Sequence, residues 1–386
     1  MGDRVDDDLN AEALDITKKY LLGRSTLKEL AVEYHRSAAT LHRRLTRWLD
    51  DGRFELIDTA GVQSTPRVLG VDSNLSEELT AHTKIWRAHV GTIEGADGAY
   101  SEDYLEPDWT AEAQKAFQAH DRLHEALGEL AAGYLVTRLQ RRMTIGVASG
   151  RGVGFTVMRL ADILGDRPSL LRGYESTRIE SLFGGALVGA WATPTTRALD
   201  ADENAFQLST ILNVPRANVS YMRGWISGDP GETRIYRQVS EAPLDLALVG
   251  MGVLNTRNQF YVHHDQNVQL GAIAGYIETI KALQAEDSSL LDSVATIGHY
   301  LFPVGVRDYP DGLLTAVNGI NDAIIAVPPE RIKTATEVVM LAGGAQKVTA
   351  LVDLLTGQCL GAPIDLDNLT LVTDAWTARQ VLERVA

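Results

Sequence analysis

The 386-residue chain carries 36 Lys and Arg against 51 Asp and Glu, a formal net charge of −15. That balance excludes nonspecific coating of nucleic acid or anionic membrane, so DNA contact has to be confined to a local basic surface. A single cysteine, Cys359, excludes an intramolecular disulfide framework and a cysteine-rich zinc site. With no signal-peptide pattern and no stretch of about 18 uncharged apolar residues, a soluble cytoplasmic protein without a membrane partner is expected, built as a small domain plus a large one.

The first predicted elements are helical. Ala11 to Leu22 supplies one helix; Leu27, Leu30, Ala31 and Tyr34 then recur at helical spacing, with Ser25 or Thr26 as N-cap. His35 and Arg36 form a tight turn, and Ser37 caps a further helix. In that helix Leu41, Leu45, Trp48 and Leu49 share one face, while Ala39, Thr40, Arg43 and Arg47 fall roughly opposite. One face packs and the other is free to enter a major groove, so 1–58 reads as a helix-turn-helix domain for double-stranded operator DNA. Its expected contacts are Arg36, Ser37, Ala39, Thr40, Arg43, Arg44 and Arg47. The alternative is a basic, solvated helix in a small helical subdomain.

Gly52 stops the helix, Phe54, Leu56 and Ile57 fit a short strand or wing, and 59–75, with Gly61, Ser64 and Pro66, is expected as a linker. The remaining 76–386 is expected as an effector-binding and oligomerisation domain. About 92–112 the chain holds seven acids and no Lys or Arg. This predicts a solvated insertion between two helices, or an acidic contact patch.

Leu127 to Leu139 predicts an amphipathic helix and Met143 to Ala148 a buried strand, followed by Ser149-Gly150-Arg151-Gly152-Val153-Gly154 and a helix with Phe155, Val157, Met158 and Leu160. Glycines there let backbone amides turn inward, and a helix N-terminus favours an anion. The spacing matches neither the dinucleotide-binding fingerprint nor a Walker loop, so an anion site and a plain βα turn both fit. Leu244 to Val249 leads into Gly250-Met251-Gly252, Asp322 to Val327 is another strand-like run, and Val338 to Ala342 ends at Gly343-Gly344. Leu369 to Val372 precedes Thr373-Asp374 and a helix. Strands ending at glycine loops and alternating with helices predict an α/β fold with a mostly parallel sheet and a ligand at the strands' carboxyl ends. Lys347 starts the helix Val348 to Leu355, where the dipole disfavours a cation unless an anionic ligand compensates. Gly184-Gly185 reads as another strand-end turn, Trp191 and Trp225 as core or pocket wall, and His263-His264-Asp265 as no metal site, since adjacent strand residues point to opposite faces. No metal or cofactor is expected.

On these residues the chain resembles the SorC/DeoR family of bacterial transcriptional regulators. The likeness rests on Thr26–Leu49 and on the motifs Thr144 to Gly150, Leu246 to Gly252, Leu341 to Lys347 and Leu371 to Asp374. The resemblance implies an N-terminal helix-turn-helix and an effector domain related in fold to sugar-phosphate isomerases and coenzyme A transferases. It further implies a phosphorylated sugar or polyol effector, control of a carbohydrate catabolic operon, and a homo-oligomer, dimer or tetramer. Carried onto this chain, the anion-binding turn is Ser149, Gly150, Arg151 and Gly152; Lys347, beside Gly343 and Gly344, is the phosphate contact, and Arg257 is a second anionic contact. His299 after Gly298 stands where members often have an acid that meets sugar hydroxyls, and Gly152 where a Thr or Ser is frequent. The rival is a sugar-phosphate isomerase or deaminase-like enzyme with an accessory N-terminal domain, with Asp245, His299 or Asp374 as acid-base groups. No pair among them has recognisable catalytic spacing. A nicotinamide-linked dehydrogenase fails the glycine-spacing test.

Overall fold

The computed structural model describes residues 30–32, 34, 40–41, 67–94, 111–165, 173–184, 200–222, 242–254, 273–287, 290, 293–305, 309–359 and 361–385. Strands run β1 (Arg67–Val71), β2 (Arg87–Glu94), β3 (Thr144–Val147), β4 (Arg178–Ser181), β5 (Val219–Ser220), β6 (Leu246–Val253), β7 (Val294–Ile297), β8 (Tyr300–Pro303), β9 (Glu337–Leu341) and β10 (Leu369–Asp374). Helices are α1 (Ser73–His82), α2 (Ala111–Arg138), α3 (Arg151–Gly165), α4 (Ala201–Ile211), α5 (Ala274–Glu286), α6 (Asp311–Ala323), α7 (Pro329–Lys333), α8 (Val348–Thr356) and α9 (Ala375–Val385).

The sheet order is β1-β2-β10-β9-β6-β3-β4-β5. From β2 to β5 every pairing is parallel; β1 is an antiparallel edge, and the β7–β8 hairpin adds to the far end of β6. Parallel strands need cover on both faces, which is why β3, β9 and β10 are buried along their whole length. On one face Leu127 and Leu130 of α2, Val153, Val157 and Leu160 of α3, and Ala205 and Leu208 of α4 pack against Ile145, Val147 and Leu248. On the other, Leu351 and Leu354 of α8 and Ala378 and Val381 of α9 join Ala247, Val249 and Leu371, while Ile277, Val317 and Ile320 of α5 and α6 cover the hairpin side. Gly128 sets the α2–α3 crossing: a Cβ there would lie 2.6 Å from Phe155 Cβ and 2.9 Å from the Phe155 carbonyl carbon.

Glu337, at the start of β9, ties α2 to the sheet. Its carboxylate accepts from the Tyr134 hydroxyl at 2.5 Å, from Arg138 Nε at 2.8 Å and from the Thr370 hydroxyl at 2.8 Å. Each group would be costly to bury alone, and together they fix the helix at the end of the sheet away from the strands' carboxyl termini.

Several expectations need correction. The sheet starts at Arg67, inside the stretch 59–75 expected as linker. The element that precedes the acidic segment is a strand, β2, which includes Thr92 to Glu94, and α2 already covers Ala111 and Glu112. Asp322 to Val327 is not a strand: Asp322 and Ala323 close α6, and beyond them Ala326 docks on Phe183 as an isolated bridge. The apolar residues of this run, Ile324 to Val327, lie beyond the helix and are buried in succession, bonded to the segment after β4 through Gly184 N to Ile325 O at 2.8 Å and Val327 N to Leu182 O at 2.9 Å. Of the helix-turn-helix, only Leu30, Ala31, Val32, Tyr34, Thr40 and Leu41 are among the described residues. Leu30 and Leu41 are fully buried, and Tyr34 N donates to Leu30 O at 2.9 Å.

Candidate functional site

The chain reverses direction across the sheet between β3 and β6: β3, β4 and β5 step one way, and β6, β9 and β10 the other. At such a switch point the loops diverge and leave a crevice beyond the strands' carboxyl ends. Ala148, Ser149 and Gly150 end β3 there, and Ala342, Gly343 and Gly344 end β9 beside it.

Gly150 takes φ +120° with nothing within 4 Å of a notional Cβ, so it is a turn glycine open on the site side. The expected glycine turn is shorter than read: α3 begins at Arg151, and Gly152 lies within its first turn. Gly152 is small for packing, since a Cβ would meet Leu341 Cδ2 at 3.2 Å and His124 Nδ1 at 3.6 Å. The first i→i−4 bond of α3 runs from Gly154 N to Gly150 O at 2.9 Å, so the amides of Arg151, Gly152 and Val153 precede it and point outward from the helix end.

Lys347 closes a single 3₁₀ turn, Ala345 to Lys347, entered through Gly344 at φ +96°. It is only 4% exposed, and its Nζ has no hydrogen-bond partner among the described residues. Burial, and next the Arg151 guanidinium, lower its pKa from 10.5 to about 8, with Asp374 pulling the other way. Two cations on separate elements thus press on one desolvated spot. Asp374 is engaged elsewhere: its Oδ1 accepts from Thr377 N at 2.8 Å and its Oδ2 from the Thr377 hydroxyl at 2.7 Å. Gly343 makes room for that carboxylate, because a Cβ would lie 2.5 Å from Asp374 Oδ2 and 2.9 Å from Leu127 Cδ1. The Thr377 hydroxyl also accepts from Gly344 N at 2.8 Å, fixing the turn that carries Lys347.

His299 reaches the same crevice from the β7–β8 turn, where Gly298 N donates to Gly250 O at 3.0 Å. Its Nε2 is 2.9 Å from Ser149 Oγ, and its ring stands edge-on to Phe183 with centroids 5.3 Å apart. Burial lowers its pKa to about 4, so the imidazole is neutral at physiological pH. A base that weak leaves the serine its proton, and the pair serves to place two hydrogen-bonding groups rather than to make a nucleophile.

The fold therefore gathers Ser149, Gly150, Arg151, His299, Gly343, Gly344 and Lys347 at one edge. Gly152 supports that edge from within α3. Arg257 lies outside the described residues, as do Arg36, Ser37, Ala39, Arg43, Arg44 and Arg47; Thr40 is described and half-buried. Sequence reading missed the ligand-side placement of α4, whose Asn204 Nδ2 donates to Ala148 O at 3.1 Å. Asp200 and Glu203 have capping-box spacing, which marks a helix start but not what it faces. No metal-binding group and no membrane-length apolar helix occurs among the described residues. A 510 Å³ hollow lined by Phe206, Val214, Arg216 and Tyr221 lies on the outer side of α4 and β5 and shares no residue with this site.

No family model and no curated relative matches the chain. Among solved structures, it is similar to a sugar-binding domain assigned to a transcriptional repressor from Vibrio fischeri, at 16% identity and TM-score 0.51, covering 81% of this chain and 99% of that one. The full-length sorbitol operon regulator SorC from Klebsiella pneumoniae aligns at 15% identity and TM-score 0.47 over 97% of this chain and 99% of its own. A DeoR family regulator from Listeria monocytogenes aligns at 16% and 0.49, over 80% and 98%. The structural neighbours of this α/β chain thus include SorC/DeoR-family transcriptional regulators and their sugar-binding domains.

Proposed function

We propose that the chain is a DNA-binding transcriptional regulator of a carbohydrate or polyol catabolic operon, acting in the cytoplasm as a homo-oligomer and controlled by a phosphorylated sugar or related anionic metabolite. The observation that carries this reading is the buried, unpartnered Lys347 ammonium beside Arg151 and the α3 N-terminus, at the switch point of a parallel sheet. An ammonium buried there without a hydrogen-bond partner is costly, and a bound anion offsets the cost. The neutral Ser149–His299 pair supplies hydrogen bonds without adding charge.

The metabolite works by differential binding. It prefers one arrangement of the oligomer, and paired recognition helices change spacing or orientation without chemistry. A tenfold change in operator affinity needs a preference of about 1.4 kcal/mol. Arg43 and its neighbours meet DNA backbone and bases, so Arg43→Ala weakens operator binding and flattens its salt dependence. The test combines thermal shifts with phosphorylated and free sugars and polyols, and mobility shifts on promoter fragments with and without each stabilising compound. Turnover of a sugar phosphate, or indifference to every phosphorylated compound and fragment, removes this reading.

A further inference from the structure

The same edge contains a second buried polar group whose bonding is incomplete. Asp200 caps α4: its Oδ1 accepts from Asp202 N at 2.8 Å and from Glu203 N at 3.1 Å. Its Oδ2 has no partner among the described residues, although Asp200 is 2% exposed. A cap needs one oxygen, so the helix accounts for half of this carboxylate and leaves the other half without a role.

The placement of Oδ2 follows from the topology. α4 connects β4 to β5, which are parallel neighbours, so it runs against the strands with its N-terminus at their carboxyl edge. Asn204 touches the Ala148 carbonyl, and Asp200 stands one turn, roughly 6 Å, further out along the axis, toward the strands' carboxyl edge. Lys347 follows β9, which is separated from β3 by β6 alone, a lateral offset of two strand spacings or roughly 10 Å. A phosphate at Lys347 does not bridge that offset, but an extended polyol or sugar chain carrying the phosphate does.

We propose that Asp200 is the hydroxyl-reading residue of the site, its Oδ2 bonding a hydroxyl of a polyhydroxylated anion whose charged end is held by Arg151 and Lys347. This rests on the metabolite-binding reading above and names the part of the ligand that reading leaves open. Burial raises the Asp200 pKa against the hydrogen bonds from Glu203 and Asp202, as expected of a carboxylate that lacks a compensating cation.

The test uses the full chain and two variants that keep a capping oxygen, Asp200→Asn and Asp200→Ser. Affinities are measured by calorimetry for inorganic phosphate and for the tightest binder among hexitol, pentitol and ketose phosphates. The ratio of sugar-phosphate to phosphate affinity is expected to drop at least tenfold in both variants, with thermal midpoints near that of the parent. An unchanged ratio overturns the proposal, including the case where both affinities fall together, because that is what a purely structural cap gives. If the parent binds phosphate and gains nothing from hydroxyls, Asp200 is not a reader although the anion site stands. If it binds neither, the proposed function itself is overturned.

Discussion

Replacing Lys347 by Met should make the protein more stable while removing its response to anions. The side chain is buried and its Nζ unpartnered, and its pKa falls from 10.5 to about 8. At about 1.36 kcal/mol per pKa unit, that difference corresponds to ~3 kcal/mol of destabilisation. The pH window follows from the direction. Below about pH 8 the amine is charged in folded and unfolded chains alike, and the full cost of holding it away from water is present. Between pH 8 and 10.5 the folded chain has lost the proton and the unfolded chain keeps it, so stability rises with pH until the cost is gone. Met fills a similar volume without charge. With an unfolding entropy of about 2.1 cal/mol/K per residue, ~3 kcal/mol raises the midpoint of a chain this long by about 4 °C at pH 7. Scanning calorimetry of both proteins at pH 7 and pH 10, with and without inorganic phosphate, checks this. The gain should shrink at pH 10, and phosphate should stabilise only the parent. A Met variant less stable than its parent at pH 7 would refute the argument, because Lys347 would then be a structural cation.

Three further outcomes rest on other parts of the fold. Gly128→Val should destabilise by about 1–3 kcal/mol or more in denaturant titration, because its Cβ would meet backbone of α3 that cannot rotate away; parent-like unfolding would mean that the helices cross more loosely. Glu337→Gln should cost about 2 kcal/mol, less than a fully buried pair because Arg138 keeps 32% of its side chain exposed, and no loss would show that Tyr134 and Thr370 hold α2 without the carboxylate. His89 and His299 both have pKa values lowered from 6.5 to about 4 by burial, so the unfolded chain takes up protons across that window while the folded chain does not. Stability should therefore fall by up to ~3 kcal/mol per histidine as pH drops from 6.5 to 4, and a flat pH profile would mean that both imidazoles are accessible.

How much was legible in advance depended on whether the signal is local. β3, β9 and β10 were visible because strands buried on both faces read as unbroken apolar runs, and two of them end at glycine turns. Lys347, Arg151 and Ser149 were visible as residues that flank those turns. β1, α1 and β2 were missed because an edge strand pair and the short helix between them leave no long apolar period, and Leu69 in β1 even faces solvent. Asp322 to Val327 misled because a short apolar run has no period of its own, and here its first two residues end a helix while the rest form a buried segment with a single bridge to Phe183. Asn204 joins the site only through a contact across the sheet, with Ala148, 56 residues away in sequence. Local pattern does not carry that information.

The direction of β1 decides which edge of the sheet the N-terminal segment meets. Because β1 runs against β2, its first residue, Arg67, pairs with Glu94 at the end of β2, while Val71 pairs with Gly91 further back. Gly91 in turn is level with Asp374, the carboxylate that acts on Lys347. The chain preceding Arg67 therefore joins the sheet at the edge that holds Ser149, Arg151 and Lys347, not at the opposite edge where Glu337 ties down α2. An attachment at the opposite edge would require a signal to cross the length of the strands, through layers packed too tightly to deform gradually. Asp374, whose charge acts on Lys347, neighbours β2, the strand on which β1 is registered. Gly91 leaves room for α2, since a notional Cβ would lie 2.7 Å from Leu130 Cδ2. Proximity is not coupling, which is a free energy measured between two binding events. The operator affinity of an Asp374→Asn variant, with and without the anion, measures how strongly this edge of the sheet is coupled to DNA binding.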